Sequence, residues 1–198
     1  MKIYIVRHGE SESDTKQRYD GDYDDHLTEQ GKRDAQEVAV KLHGKGIEHV
    51  FCSARIRAVE TGEIICASLE GCNPLSIEAD LQEQDIYQAF KEIAINEPEE
   101  EYRRLGEFMV TQDNAVEGVE SYADFKHRVT TAFQRLFSGP YQTIVIVTHG
   151  GPIRCLFREL FKMEGLKSIA NGAIIELATQ GQDLSFVRAA GGTFQPVG

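Results

Sequence analysis

Twice, this chain runs an apolar strand straight into a histidine followed by glycine. Lys2-Ile3-Tyr4-Ile5-Val6 leads into Arg7-His8-Gly9-Glu10, and Thr143-Ile144-Val145-Ile146-Val147-Thr148 leads into His149-Gly150-Gly151. In an open α/β sheet, ligands bind outside the C-terminal ends of the strands. Two histidines delivered to two such ends therefore point to one site, and Arg7 beside the first suggests that the site holds an anion.

The pattern between these strands predicts an α/β fold, a three-layer sandwich with a mostly parallel central sheet and helices on both faces. A polar, Asp-rich loop from Ser11 to His26 is too long and hydrophilic to be core. Thr28 can cap a helix whose apolar stripe is Ala35, Val38, Ala39 and Leu42, ended by Gly44 and Gly46. A short strand from His49 to Ser53 leads into a helix carrying Ile56, Val59 and Ile65, and Pro74 to Glu78 reads as another strand. Ser121, with Asp124 three residues on, starts a helix striped by Tyr122, Phe125, Val129, Ala132, Phe133 and Leu136. After His149, Pro152 sits where a first helical turn tolerates it, and Ile153, Leu156, Phe157 and Leu160 repeat the core-facing pattern. Ala173–Ala178 and Leu184–Ala190 predict an antiparallel hairpin at the sheet edge, followed by a frayed tail from Gly191 to Gly198.

At 198 residues the chain fits a single domain. No apolar run approaches the roughly 18–20 residues that span a bilayer, and the first residues lack a signal peptide's organisation, so the expected compartment is cytoplasmic. Cys52, Cys66, Cys72 and Cys155 show no metal-binding spacing and read as reduced, small hydrophobes. The net charge of −11 argues against nucleic acid or an anionic membrane as a partner. Much of that charge is local. From Glu78 to Glu120 thirteen acidic side chains stand against Lys91, Arg103 and Arg104. An acidic helical insertion is expected at about 85–118, either as a solvated face or as a flap that disfavours highly anionic substrates.

The residues at these strand ends suit phosphoryl transfer. Neutral imidazole can attack phosphorus and carry the phosphoryl group covalently. A neighbouring cation such as Arg7 keeps His8 unprotonated and can also grip a phosphate bidentately. Arg57, about one turn into the helix that follows Cys52-Ser53-Ala54-Arg55, can point back at the same sheet edge, as can His149. Together these groups would stabilise the equatorial oxygens of a transferring phosphoryl group. Glu83, after the next strand, is the candidate proton donor for the leaving oxygen. Taken singly, each residue has an ordinary explanation: a salt-bridged turn, a core histidine, one of thirty-two acids. Their order and context carry the signal.

That order resembles the histidine phosphatase superfamily, the phosphoglycerate-mutase-like proteins. The family pattern stands here as Arg7-His8-Gly9-Glu10, Leu27-Thr28-Glu29-Gln30-Gly31, Ser53 to Thr61 around Arg57-Ala58, Leu81-Gln82-Glu83, and Thr148-His149-Gly150. The resemblance covers residues 2 to about 160. It implies that His8 is the phosphorylated nucleophile and that Glu83 is the acid that later activates water. Arg7, Arg57 and His149 would bind the substrate's phosphoryl group, and Asp14, Glu83 and Gly150 would join them in the substrate site. No metal or other cofactor is implied, since arginines bring the positive charge.

The chain departs from the pattern at Asp14, where the family often has asparagine, at Asp20, where it often has glutamine, and at His26 in place of proline. An ionised carboxylate cannot donate to phosphate. Asp14 and Asp20 either point away, or Asp14 pairs with an arginine, or the substrate carries a cationic group near its phosphate. The favoured function is a phosphatase acting on a small phosphorylated metabolite. The alternatives are a phosphoglycerate mutase, a phosphoprotein phosphatase and a non-catalytic phosphate-recognition module.

Overall fold

A computed structural model of the chain describes residues 1–15, 24–70, 75–85, 120–163, 166–181 and 183–194. Among these, six strands form one sheet: β1 (Lys2–Arg7), β2 (His49–Cys52), β3 (Ser76–Ile77), β4 (Thr143–Thr148), β5 (Leu166–Gln180) and β6 (Asp183–Phe194), in the order β3-β2-β4-β1-β5-β6. The first four strands in that order run parallel, while β5 pairs antiparallel to β1 and β6 antiparallel to β5. The helices are a short α1 (Glu12–Thr15), α2 (Glu29–Leu42), α3 (Ile56–Ala67), α4 (Tyr122–Phe137) and α5 (Gly150–Leu160).

Alternate side chains of each central strand enter different cores, because successive Cβ atoms point to opposite faces. Ile3, Ile5, Ile144 and Ile146 pack with Phe133, Leu136, Ile153, Leu156 and Phe157 of α4 and α5. Tyr4, Val6, Val145 and Val147 pack with Val38, Ala39, Leu42, Ala58 and Ile65 of α2 and α3. The expected three-layer α/β arrangement follows from that division.

The caps are those the sequence predicts. Thr28 accepts from Gly31 N at the start of α2, and Ser121 accepts from Asp124 N at the start of α4. Gly44 and Gly46, just past α2, have φ of 70° and 69°, in the region where glycine escapes the Cβ penalty.

Four expectations change. The hairpin strands are longer than the apolar pattern suggested, and β6 continues through Gly191 to Phe194 where a frayed tail was expected, because its backbone stays paired with β5. The loop from Ser11 is not wholly peripheral: Ser11 and Asp25 are buried, drawn in by polar contacts that hydropathy cannot register. The strand expected from Pro74 shrinks to Ser76–Ile77 among the described residues. Cys52 and Cys155 are free and buried, but Cys66 is disulfide-bonded rather than reduced, its partner lying outside the described residues. The acidic insertion expected at about 85–118 lies outside them apart from Asp85, and so does Asp20. No helix among the described residues is long and apolar enough to cross a membrane.

Candidate active site

Parallel register brings the two histidines together. Arg7 of β1 pairs with Thr148 of β4, so His8 and His149 are the next residues at adjoining strand ends. The ladder continues one step further, as His8 N donates to Thr148 O at 3.0 Å. The two rings lie 5.0 Å apart between centroids, tilted by 58°, and both are buried.

Each ring is anchored through a different nitrogen. His8 Nδ1 lies 2.7 Å from the Gly9 carbonyl oxygen. A carbonyl can only accept, so Nδ1 carries the proton and Nε2 keeps its lone pair. The Arg57 Nε–H donates to that Nε2 at 3.3 Å. Burial, and then the charges of Arg57 and Arg7, push the His8 pKa down to about 3, against weaker opposing effects of Asp14 and the Gly9 bond. His149 instead meets the Ser53 hydroxyl through Nε2, at 2.7 Å. Ser53 Oγ also accepts from Arg55 N at 3.4 Å, and its own proton is available to Nε2, a bond that goes with the tautomer protonated on Nδ1. His149 Nδ1 is buried without a hydrogen-bond partner among the described residues. Burial, followed by the nearby His8, Arg57, Arg55 and Arg7, holds its pKa well below the usual histidine value.

The two arginines arrive already paired. Arg57, buried in the first turn of α3, makes an ion pair at 3.0 Å with buried Asp25. Burial alone would raise the Asp25 pKa, but the bonds from Ser13 and the Arg57 charge more than offset it and hold it low. Arg7 donates through Nη2 to Asp14 Oδ1 at 3.0 Å and through Nη1 to the Ile169 carbonyl, while its buried Nε has no partner among the described residues. The other Asp14 oxygen accepts from Ser11 N, Ser11 Oγ and Asn171 Nδ2, at 2.9, 3.1 and 2.8 Å. Of the readings open for Asp14, the ion pair with an arginine is the one observed, and it is fully hydrogen-bonded. The charges of His8 and Arg7 with these bonds lower its pKa against the effect of burial.

Glu83 reaches the same edge from the other side of β4. Its Oε2 accepts from Gly151 N at 3.2 Å, and a Cβ placed on Gly151 would lie 1.7 Å from Oε1. Gly151 is thus the residue that leaves room for the carboxylate. Gly150, buried beside His149, opens α5, with the Arg154 guanidinium next to it.

The spaced motifs have a direct structural reason. Glu10 O accepts from Thr28 N at 3.0 Å, and Glu10 Oε1 accepts from Thr28 Oγ1 at 2.6 Å. Gly9 and Gly31 touch backbone to backbone, since a Cβ on either would fall within 2.2 Å of a carbonyl oxygen on the facing segment. Thr61 Oγ1 accepts from Gly9 N at 3.1 Å, which ties α3 to the histidine turn.

All the residues expected at the site except Asp20 are therefore described, and they converge on one edge. Sequence reasoning missed Asp25, gave no role to Ser53 or Thr61, and had no signal for Asn171. Asp25 lies in a loop rich in equivalent acids. Among the described residues, no group of three or more His, Cys, Asp or Glu side chains could hold a metal ion.

Comparison with known proteins agrees with this geometry. "Probable phosphoglycerate mutase GpmB" of Proteus mirabilis is 31% identical over 158 residues, covering 79% of this chain and 73% of that protein. The protein of the same name from Salmonella paratyphi B is 30% identical over 161 residues, with the same coverage. The fold matches that of a mycobacterial glucosyl-3-phosphoglycerate phosphatase complexed with VO3 (TM-score 0.75, 22% identity, 94% and 96% of the two chains). It also matches Bacillus stearothermophilus YhfR (TM-score 0.73, 21% identity, 93% and 94%). Residues 3–190 match the histidine phosphatase superfamily (branch 1), and the chain belongs to that family.

Proposed function

We propose that this protein hydrolyses a phosphomonoester of a small metabolite through a phosphohistidine at His8. The observation that carries this reading is the state of the His8 ring. Its proton is fixed on Nδ1 by the Gly9 carbonyl, and its pKa of about 3 leaves Nε2 unprotonated at neutral pH. An incoming phosphoryl group draws the Arg57 guanidinium to its own oxygens and frees the Nε2 lone pair for attack. Arg57, the Nε–H of Arg7 and the Nδ1–H of His149 then meet the charge on the equatorial oxygens.

The steps balance without any other group. The Nε2 lone pair forms the N–P bond as the P–O ester bond breaks, and Glu83 gives its proton to the leaving oxygen. The resulting carboxylate takes a proton from water, whose oxygen attacks phosphorus. The N–P bond breaks, and its electrons return to Nε2.

The names of the curated relatives favour a second reading, a phosphoglycerate mutase, which would return the phosphoryl group to a substrate hydroxyl. Such a substrate carries a second anion. Here Arg7 is already paired with Asp14 and Arg57 with Asp25, which lowers the net charge these two arginines offer to a second anion. That balance favours the phosphatase.

The test is phosphate release from a panel of phosphorylated metabolites, comparing wild type with His8→Ala. Release by the wild type alone is the expected result. Isomerisation of 3-phosphoglycerate faster than phosphate release would replace this reading with the mutase.

A further inference from the structure

Glu83 sits in a segment with little secondary structure of its own. After the single 3₁₀ turn at Ala79–Leu81, residues 82–85 form neither helix nor strand. Backbone carbonyls of such a segment need partners from elsewhere. Those of Gln82 and Glu83 find theirs in one side chain, Arg128, from the middle of α4.

Arg128 Nη1 donates to the carbonyls of Asp80 and Gln82, at 2.8 and 3.0 Å, and Nη2 donates to the Glu83 carbonyl at 2.9 Å. Nε and Nη2 also donate to the two carboxylate oxygens of Glu120, at 2.5 and 2.8 Å. These contacts use all five N–H groups of a guanidinium. Its plane rests near the Phe125 ring, 5.0 Å from the centroid. Glu120 completes the frame. Its Oε2 accepts from Asp85 N at 3.1 Å, its backbone N donates to Asp85 O at 2.7 Å, and its carbonyl accepts from Gln84 Nε2 at 3.0 Å.

We infer that Arg128, oriented by Glu120, is the positioning residue for Glu83, setting where that carboxyl meets the leaving oxygen. The inference rests on the reading of Glu83 as proton donor. Arg128 itself binds carbonyls and Glu120, so its effect on the reaction passes through the loop. A lysine, with three donors at one point, cannot span three carbonyls and a carboxylate together.

Leaving-group chemistry isolates the effect. An alkoxide must be protonated as it departs, whereas a dinitrophenolate leaves as a stable anion. The experiment measures phosphoenzyme formation in a single turnover from propyl phosphate and from 2,4-dinitrophenyl phosphate, with Tm recorded for each variant. Arg128→Gln is expected to slow transfer from propyl phosphate by about 10²-fold, the scale of a small misplacement of a reacting group. Transfer from 2,4-dinitrophenyl phosphate should stay near the wild-type rate, and Arg128→Lys should fall between. Equal slowing of both substrates, or of neither, overturns the inference. If Arg128→Gln fails to fold, Glu120→Gln carries the same test, since it loosens the frame and keeps the side-chain volume. A wild type that forms no phosphoenzyme from either substrate would instead defeat the proposed function and leave Arg128 a structural clamp.

Discussion

The ends of β1 and β4 look alike in sequence, an apolar strand delivering His-Gly, and they differ in how the ring is fixed. At β1 the anchor is a backbone carbonyl on Nδ1, which leaves Nε2 as a lone pair. At β4 the anchor is the Ser53 hydroxyl on Nε2, which leaves Nδ1 without a partner among the described residues. Both rings are neutral because both are buried among arginines. One is thereby suited to form a bond to phosphorus, the other to donate a hydrogen bond to its oxygens. On the proposed reading, role follows from the anchored nitrogen, and no inspection of the two motifs alone would tell them apart.

The comparison breaks first at the rings themselves. His8→Ala should abolish phosphate release, since no other described side chain offers the covalent path. His149→Ala, losing one transition-state donor, should keep measurable turnover with kcat lowered about 10²–10³-fold. Equal abolition by both would erase the distinction, and steady-state phosphate release on matched enzyme concentrations decides it.

Arg57→Ala should cost kcat about as much as His149→Ala, but with an added penalty. It strands Asp25 as a buried unpaired carboxylate, worth about 3–5 kcal/mol of stability, which His149→Ala does not do. Chemical denaturation of the two variants side by side measures the difference. A variant Arg57→Ala as stable as His149→Ala would mean that Asp25 finds another partner.

Ser53→Ala sharpens the comparison at its anchor. It should lower kcat about tenfold, near the contribution of one hydrogen bond, by freeing the tautomer of His149. In the Ser53→Ala, His149→Ala double variant that loss should vanish, because the serine acts only through the ring. Additive losses would show that Ser53 contacts the substrate directly.

The last effect is on acid stability rather than on turnover. Folded His8 takes its proton near pH 3, whereas the unfolded chain takes it near 6.5. Between those values the unfolded state binds more protons, so stability falls as pH drops from about 6.5 toward 3. His149 contributes in the same direction. The lowered pKa values of Asp14 and Asp25 add stability above the ordinary carboxylate range that is lost only below it. His8→Gln should therefore flatten the dependence of Tm on pH between about 4 and 6.5, with His149 supplying the remainder. An unchanged slope would place the depressed titration elsewhere.

The fold and the principal site residues were legible because each left a local pattern. Continuous apolar runs marked the strands and helical apolar spacings the helices, and His8, Arg57, Glu83, His149 and Gly150 stand at or close to the ends or first turns of those elements. What escaped has no such pattern. Asp25 is one acid in an acidic loop, chosen by a contact with an arginine 32 residues away. Asn171 reaches Asp14 across 157 residues, and Arg128 serves carbonyls, which every residue possesses. Asp14 shows the limit from the other side. Its departure from the family's asparagine was visible, yet only the geometry distinguishes an ion pair with Arg7 from a turn away or a cationic substrate.

The parallel pairing of β1 with β4 also bears on how the protein comes into being. Residues 2–7 find their neighbours at 143–148, so the pocket's floor closes a loop of most of the chain. Contacts this distant in sequence slow folding, because the loop must be ordered before they form. During synthesis, the segment bearing His8 emerges well before residues 143–148, and its apolar strand lacks this neighbour until they follow. A message cut short between the two strands leaves His8 without the neighbour that completes its pocket, so the pair of histidines assembles only once both strands are made.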